Sequence, residues 1–239
     1  MKELKTKTAL ITGGTKGIGY GIAEALIKEG INVVLTSRSL TSAESAADQL
    51  NEIGGAKAMG LKADVRNLID QQEAVRNAVE TFGSLDFVIA NAGLGHYAPI
   101  EEITDHQWQE TIDTNLTGVF YSIKASVEEL KKSKGYFITI SSLAGTNFFA
   151  NGSAYNASKF GVTGFTQAVM LDLRQHDVKV STIMPGSVAT HFNGNEPGEK
   201  DAWKIQPEDI GEMVVDLFKM EARSLPSKIE IRPSKPPIK

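Results

Sequence analysis

The sequence predicts an α/β fold, a doubly wound parallel sheet of about seven strands forming a single domain over residues 1–239. Three observations predict it. Strand-like and helix-like patterns alternate along the whole chain, which implies right-handed crossovers between parallel strands. Most of the strand-like runs are apolar throughout, as strands covered on both faces must be. No Pro/Ser-rich linker, repeat or low-complexity stretch divides the chain, and 239 residues suffice to bury one sizeable core.

Taken in order, the strand-like runs fall at 8–12, 32–37, 57–62, 85–90, 135–141 and 179–184, with a shorter one at 228–232. Between them the apolar spacing predicts helices over 17–29, 41–53 and 68–81, two helices within 104–132, and further helices over 154–176 and 207–219. The second helix opens on Thr41-x-x-Glu44, which reads as a capping box. Pro207 suits the first turn of the last helix, where its missing N–H costs nothing.

Composition excludes several classes. A net charge of -4 gives no electrostatic reason for a nucleic-acid or anionic-membrane partner. The chain has no cysteine, so disulfides and thiolate chemistry are out. Met1-Lys2-Glu3-Leu4-Lys5 leads straight into a strand without a signal-peptide stretch, and no apolar run reaches membrane-spanning length, so the expected location is the cytoplasm.

The first βα turn reads Thr12-Gly13-Gly14-Thr15-Lys16-Gly17-Ile18-Gly19, directly after a strand and opening a helix. Glycines permit a tight turn and close backbone approach, while the helix N-terminus offers free N–H groups to a pyrophosphate. That setting predicts a Rossmann-type dinucleotide site. The second strand runs Val33-Val34-Leu35-Thr36-Ser37-Arg38 and lacks the acid that would bond an NAD ribose hydroxyl. Arg38, with Lys16 in the turn, is suited to a 2′-phosphate, so the expected cofactor is NADP.

Ser153-Ala154-Tyr155-Asn156-Ala157-Ser158-Lys159 heads an apolar helix-like run, and its spacing puts the phenol and the ammonium on one face. An unperturbed tyrosine titrates near 10. A cation about 4 Å away at an effective dielectric of about 20 is worth about 4 kcal/mol, or about 3 pKa units, and would bring the phenol toward working pH.

These motifs, in this order, resemble the short-chain dehydrogenase/reductases in their compact one-domain branch. Gly13, Gly17 and Gly19 match the family's glycine turn, and Asn91-Ala92-Gly93 its Asn-Ala-Gly motif. Asn115, Ser142, Tyr155 and Lys159 fall at the spacing of its catalytic four, with Ser142 preferred to Ser141 on the interval to the tyrosine. Pro185-Gly186 with Val188 and Thr190 matches the cofactor-binding stretch after the sixth strand, and Asp64-Val65 resembles the adenine-contacting pair. Thr15, Ile18 and Ser37 complete the expected cofactor contacts.

The resemblance implies roles. Tyr155 would protonate the developing alkoxide. Lys159 would lower its pKa and bond the nicotinamide ribose, Ser142 would hold the substrate oxygen, and Asn115 would hold a water in the proton path. Thr190 would hold the nicotinamide carboxamide. The implied activity is NADPH-dependent reduction of a small-molecule ketone or aldehyde, free or carried as a carrier-protein or CoA thioester. 3-Oxoacyl-[acyl-carrier-protein] reductase is the leading specific activity, and a sepiapterin- or diketone-type carbonyl reductase is the alternative. A non-catalytic NADP sensor is the remaining class. Lys131, Lys132, Lys134 and Arg174 are the candidate basic patch for a carrier protein.

Family relatives pair through long helices, so a homodimer or homotetramer is expected, with Phe120, Val127, Phe165 and Val169 as contacts. Pro233-Ser234-Lys235-Pro236-Pro237 replaces the usual ending and should not extend the sheet. The short polar loop at 193–200 suggests an open site. Tyr97, Phe148, Phe149 and Phe192 are candidate pocket walls, with His96 and His191 at the mouth; the scatter of the four histidines gives no metal pattern.

Overall fold

A computed structural model describes residues 4–236. Seven strands form one parallel sheet in the order β3-β2-β1-β4-β5-β6-β7. They are β1 (Thr8–Thr12), β2 (Asn32–Ser37), β3 (Ala58–Lys62), β4 (Phe87–Ala90), β5 (Tyr136–Ile140), β6 (Lys179–Pro185) and β7 (Lys228–Ile231).

The helices are α1 (Gly17–Lys28), α2 (Leu40–Ile53), α3 (Leu68–Phe82), α4 (Asp105–Ile112), α5 (Gly118–Ser133), α6 (Ser153–Leu173) and α7 (Pro207–Lys219). Pro207 stands in the first turn of α7. The second helix begins earlier than the spacing predicts: Ser39 caps it by accepting from the Ser42 N–H at 3.3 Å, and Thr41 already lies inside. Between α4 and α5, Asp113–Thr117 forms a π-helical turn that carries one helical pattern into the next. Such a single wide turn rotates its side chains relative to the flanking helix.

The strands bury two faces, and alternate residues serve each. Ala9, Ile11, Val33, Leu35 and Ile89 join α1, α2 and α7 in one core. Leu10, Val34, Val88 and Phe137 join α3, α5 and α6 in the other. The apolar runs are therefore period-two patterns with both phases apolar. Val127, Phe165 and Val169 pack against this second core, and of the four expected oligomer contacts Phe120 alone is well exposed.

The chain runs β1-β2-β3 outward, returns through α3 to β4 on the other side of β1, and continues outward to β7. The reversal opens a crevice at the carboxyl ends of β1 and β4, the place where sheets of this topology bind ligands. β7 ends at Ile231 and the proline tail leaves the sheet. Pro237 lies outside the described residues, as do Met1, Lys2 and Glu3. Among the described residues no helix is long and apolar enough to cross a membrane, and no group of three or more His, Asp or Glu side chains is arranged for a metal ion.

Candidate active site

The glycine turn after β1 is clamped from below by Asn91 at the end of β4. The Asn91 side chain donates to the Thr12 and Gly13 carbonyls, each at 3.0 Å, while the Thr12 hydroxyl accepts from the Asn91 and Ala92 N–H groups. Gly13 and Gly17 have φ of +63° and +56°, a region that disfavours side chains. Lys16 precedes α1 without a capping side-chain bond, and the first turn of α1 holds no acid, so its N–H groups remain available to an anion. A Cβ on Gly17 would come within 3.2 Å of Thr190, so the turn and the loop after β6 face each other across the crevice. This cradle fits a dinucleotide.

The crevice is a cleft of about 960 Å³. Gly13, Thr15, Lys16, Gly17, Ile18, Ser37, Arg38, Asp64, Val65, Asn91, Ala92 and Gly93 line it. So do Tyr155, Lys159, Pro185, Gly186, Val188 and Thr190. Gly19 does not. A Cβ there would lie 2.5 Å from Asn91 Nδ2 and 2.6 Å from the Gly13 carbonyl, so this glycine lets α1 close on the clamp.

Beside Arg38, Asp64 is gripped by the Arg66 guanidinium through Nε and Nη2, the shortest contact being 2.6 Å. Arg66, then the charge of Arg38 among smaller effects, holds the Asp64 carboxyl below the usual carboxylate range. Arg66 also approaches Glu110 at 3.9 Å, and Glu110 in turn bonds His96 at 2.8 Å. This chain of side chains ties the end of β3 to the loop after β4.

Ser142, just after β5, and Tyr155, in the first turn of α6, both line the cleft, and the Ser142 hydroxyl accepts from the Ala144 N–H at 3.1 Å. The neighbouring Ser141 is turned away: it is buried, donates to the Lys159 carbonyl at 3.1 Å and meets Thr163 Oγ1 at 3.0 Å. Lys159 is buried, with Nζ donating to the Ile140 carbonyl at 3.0 Å and lying 5.7 Å from the Tyr155 ring centroid.

The electrostatics differ from the simple Coulomb expectation. Burial pushes the Tyr155 phenol up, against hydrogen bonds from Ser142 and Tyr97 that pull it down. Burial also lowers the Lys159 ammonium to about 8. Burial thus penalises the charged form of both groups, the phenolate of Tyr155 and the ammonium of Lys159.

Asn115 sits in the π-helical turn and does not line the cleft. Its Oδ1 accepts from the Leu94 N–H at 2.9 Å, and its Nδ2 donates to the Leu94 carbonyl and to Ser158 Oγ. It fixes the loop after β4 against α6, one turn behind the tyrosine.

The model for the short chain dehydrogenase family matches residues 7–201 of this chain. The chain belongs to the short-chain dehydrogenase family. A trans-4-hydroxycyclohexanecarboxylate dehydrogenase of Sinomonas cyclohexanicum is 33% identical over 90% of this chain and 87% of its own. A putative ketoacyl reductase of Streptomyces coelicolor is 31% identical, covering 96% and 89%. The X-ray structure of an alcohol dehydrogenase from the archaeon Thermococcus sibiricus, complexed with 5-hydroxy-NADP, superposes with a TM-score of 0.90 at 30% identity, covering 98% of this chain and 99% of that one.

As a short-chain dehydrogenase the protein is an oxidoreductase, and its structure revises several expectations about its mouth. Tyr97, Phe149 and Phe192 line the cleft, but Phe148 points outward, 85% exposed. His191 lines the cleft, whereas His96 is spent on Glu110. In the loop after β6 a bridge between Val188 and Ile205 folds the chain back, and Phe192, Asn195, Trp203 and Lys204 line the cleft. The tail adds Arg232, Pro233 and Pro236.

Arg66, Trp203 and Arg232 are lining residues that sequence reasoning missed, since each comes from a segment with no motif of its own. The expected carrier-protein patch is displaced. Lys131 and Lys132 end α5, Lys134 precedes β5 and Arg174 follows α6, all at the amino edge of the sheet, opposite the cleft. The three lysines are paired with Glu128, Glu129 and Asp177.

Proposed function

We propose that this short-chain dehydrogenase is an NADPH-dependent carbonyl reductase whose preferred substrate is a compact, apolar and preferably alicyclic ketone. The observation that carries the reading is the convergence of the Ser142 and Tyr155 hydroxyls inside an aromatic collar. Tyr97 meets Tyr155 edge-on at 5.4 Å between centroids, Phe192 lies 5.9 Å from Tyr155 on another side, and Phe149 flanks Tyr97 at 5.9 Å. Such walls favour a ring over an extended polar chain. The Sinomonas relative named for a cyclohexane substrate points the same way.

When bound, NADPH supplies the hydride. The glycine turn and the start of α1 would hold its pyrophosphate, Arg38 with Lys16 its 2′-phosphate, Lys159 the nicotinamide ribose and Thr190 the carboxamide. The NADP-related ligand of the Thermococcus relative supports the choice of NADP. Ser142 donates to the substrate oxygen and fixes its position, and Tyr155 delivers a proton to that oxygen as charge develops there. Lys159 stands behind the phenol as a buried cation. Asn115 keeps the loop after β4 and helix α6 in register.

A 3-oxoacyl thioester is the second reading, favoured by the Streptomyces relative. Lys131, Lys132, Lys134 and Arg174, at the opposite edge of the sheet, lend it no electrostatic support. We also propose a homodimer through α5 and α6, where Phe120, Phe160 and Leu171 are exposed.

The test is NADPH and NADH oxidation against cyclohexanones, α-diketones, aliphatic aldehydes and acetoacetyl thioesters. Turnover led by NADPH and cyclic ketones supports the reading. Turnover confined to thioesters moves the enzyme to the second.

A further inference from the structure

Ser142 stands between two ties to α6. Before it, the Ser141 hydroxyl donates to the Lys159 carbonyl at 3.1 Å. After it, the chain makes a short 3₁₀ turn over Leu143–Gly145, closed by the Asn147 N–H on the Leu143 carbonyl at 2.8 Å. Asn156, the residue after Tyr155 in α6, holds that turn from the helix. Its Nδ2 donates to the Ala144 carbonyl at 2.9 Å and to the Asn147 carbonyl at 2.8 Å. Ala144 is the shared residue, because its own N–H donates to Ser142 Oγ at 3.1 Å.

The amide has one way to sit. Asn156 is buried, and its Oδ1 has no hydrogen-bond partner among the described residues. A Cβ on Gly152 would fall 2.5 Å from that oxygen, so the glycine before α6 leaves it room. Both amide N–H groups are spent on the turn, and a flipped amide would set Oδ1 against two carbonyl oxygens.

We propose that Asn156 is a positioning residue for carbonyl reduction, holding the turn from Ala144 to Asn147 so that the Ser142 hydroxyl meets the substrate oxygen. The proposal rests on the reading of Ser142 as the hydroxyl that holds that oxygen. Ser142 Oγ accepts from the Ala144 N–H, and its proton is directed at the Pro185 carbonyl 3.5 Å away, too long a contact to hold it strongly. That proton is available to a ketone oxygen in the cleft. Asn156 does not line the cleft and acts through the turn. A reacting group misplaced by about 1 Å can lower turnover by about a hundredfold.

The experiment compares wild type, Asn156→Ala, Asn156→Asp and Ser142→Ala in two measurements. The first is the reduction of cyclohexanone by NADPH. The second is the binding of cyclohexanol and of cyclohexane to the NADPH-loaded protein, followed by NADPH fluorescence; alcohol and cofactor are both reduced, so no reaction follows. Asn156→Asp keeps the shape of the side chain and loses both donors.

The expected result for both Asn156 variants is a kcat lower by about tenfold to a hundredfold, with NADPH affinity within about twofold of wild type. Cyclohexanol should bind about fivefold more weakly and cyclohexane within about twofold of wild type, since only the alcohol has an oxygen for Ser142 to hold. Equal weakening of the two ligands, unchanged cyclohexanol affinity, or loss of NADPH binding in both variants overturns the proposal. Ser142→Ala separates the two levels. Weakened cyclohexanol binding there, with both Asn156 variants unmoved, sinks only the role of Asn156; unchanged cyclohexanol binding in Ser142→Ala sinks the reading of Ser142 and the proposal with it.

Discussion

The Lys159 ammonium donates to the carbonyl of Ile140, the last residue of β5, at 3.0 Å, so the buried cation of the site is anchored on the sheet and not on the phenol. That anchor sets its energetics. Burial lowers its pKa from 10.5 to about 8. Below pH 8 the folded and unfolded chains are both protonated and the folded one bears the cost of a buried charge. Between about 8 and 10.5 the folded chain has lost the proton that the unfolded chain still binds, so this group raises stability as pH rises through that window. Lys159→Met should therefore stabilise the ligand-free protein at pH 7 by about 2 kcal/mol, with the gain shrinking toward pH 10, while abolishing turnover. Denaturant titrations at several pH values check both halves.

Arg38, just beyond β2, lines the cleft and is proposed to set the choice of cofactor. Arg38→Asp is predicted to weaken NADPH binding by about tenfold or more and NADH binding by less than about twofold, because a charge-assisted bond to phosphate is lost only with NADPH. Fluorescence titration with each nucleotide decides it, and equal losses would remove Arg38 from the phosphate site.

Gly19 stands where α1 closes on the Asn91 clamp. Gly19→Ala places a methyl 2.5 Å from Asn91 Nδ2 and 2.6 Å from the Gly13 carbonyl, so it should cost about 1–3 kcal/mol and loosen the cradle. A lower melting temperature together with weaker NADPH binding is expected. A lower melting temperature with full affinity would show that the clamp tolerates the shift.

The lysines at the amino edge give a negative test. A Lys131→Glu, Lys132→Glu, Lys134→Glu triple variant should leave kcat/KM unchanged for free ketones and for carrier-bound 3-oxoacyl thioesters alike, since the patch lies opposite the cleft. A selective loss with the carrier-bound substrate would restore a carrier-docking role.

How far the sequence carried the reading depends on the kind of signal. The strand-turn-helix setting of Gly13 and Gly17 and the i, i+4 pairing of Tyr155 with Lys159 are local, so they could be read directly. Spacing preferred Ser142 to Ser141; both border the cleft, and the Ser141 hydroxyl is engaged with the Lys159 carbonyl and Thr163 Oγ1 of α6.

What escaped depends on tertiary approach. The burial that raises the Tyr155 phenol and lowers the Lys159 ammonium is a property of the assembled core. The fold-back of Tyr97 over Gly95, the reach of Arg66 to both Asp64 and Glu110, and the bridge from Val188 to Ile205 that carries Trp203 inward join segments with no shared pattern. Phe148 and Phe149 are adjacent and alike, and only the turn before α6 decides that one faces out and the other in.

The most direct test of the central claim is a paired measurement on Tyr155→Phe, combining NADPH affinity with steady-state reduction of cyclohexanone. The expected result is an NADPH Kd within about twofold of wild type and a kcat lower by at least about a thousandfold, because the ring remains and the proton donor is gone. Turnover within about tenfold of wild type, with NADPH still bound, would contradict it.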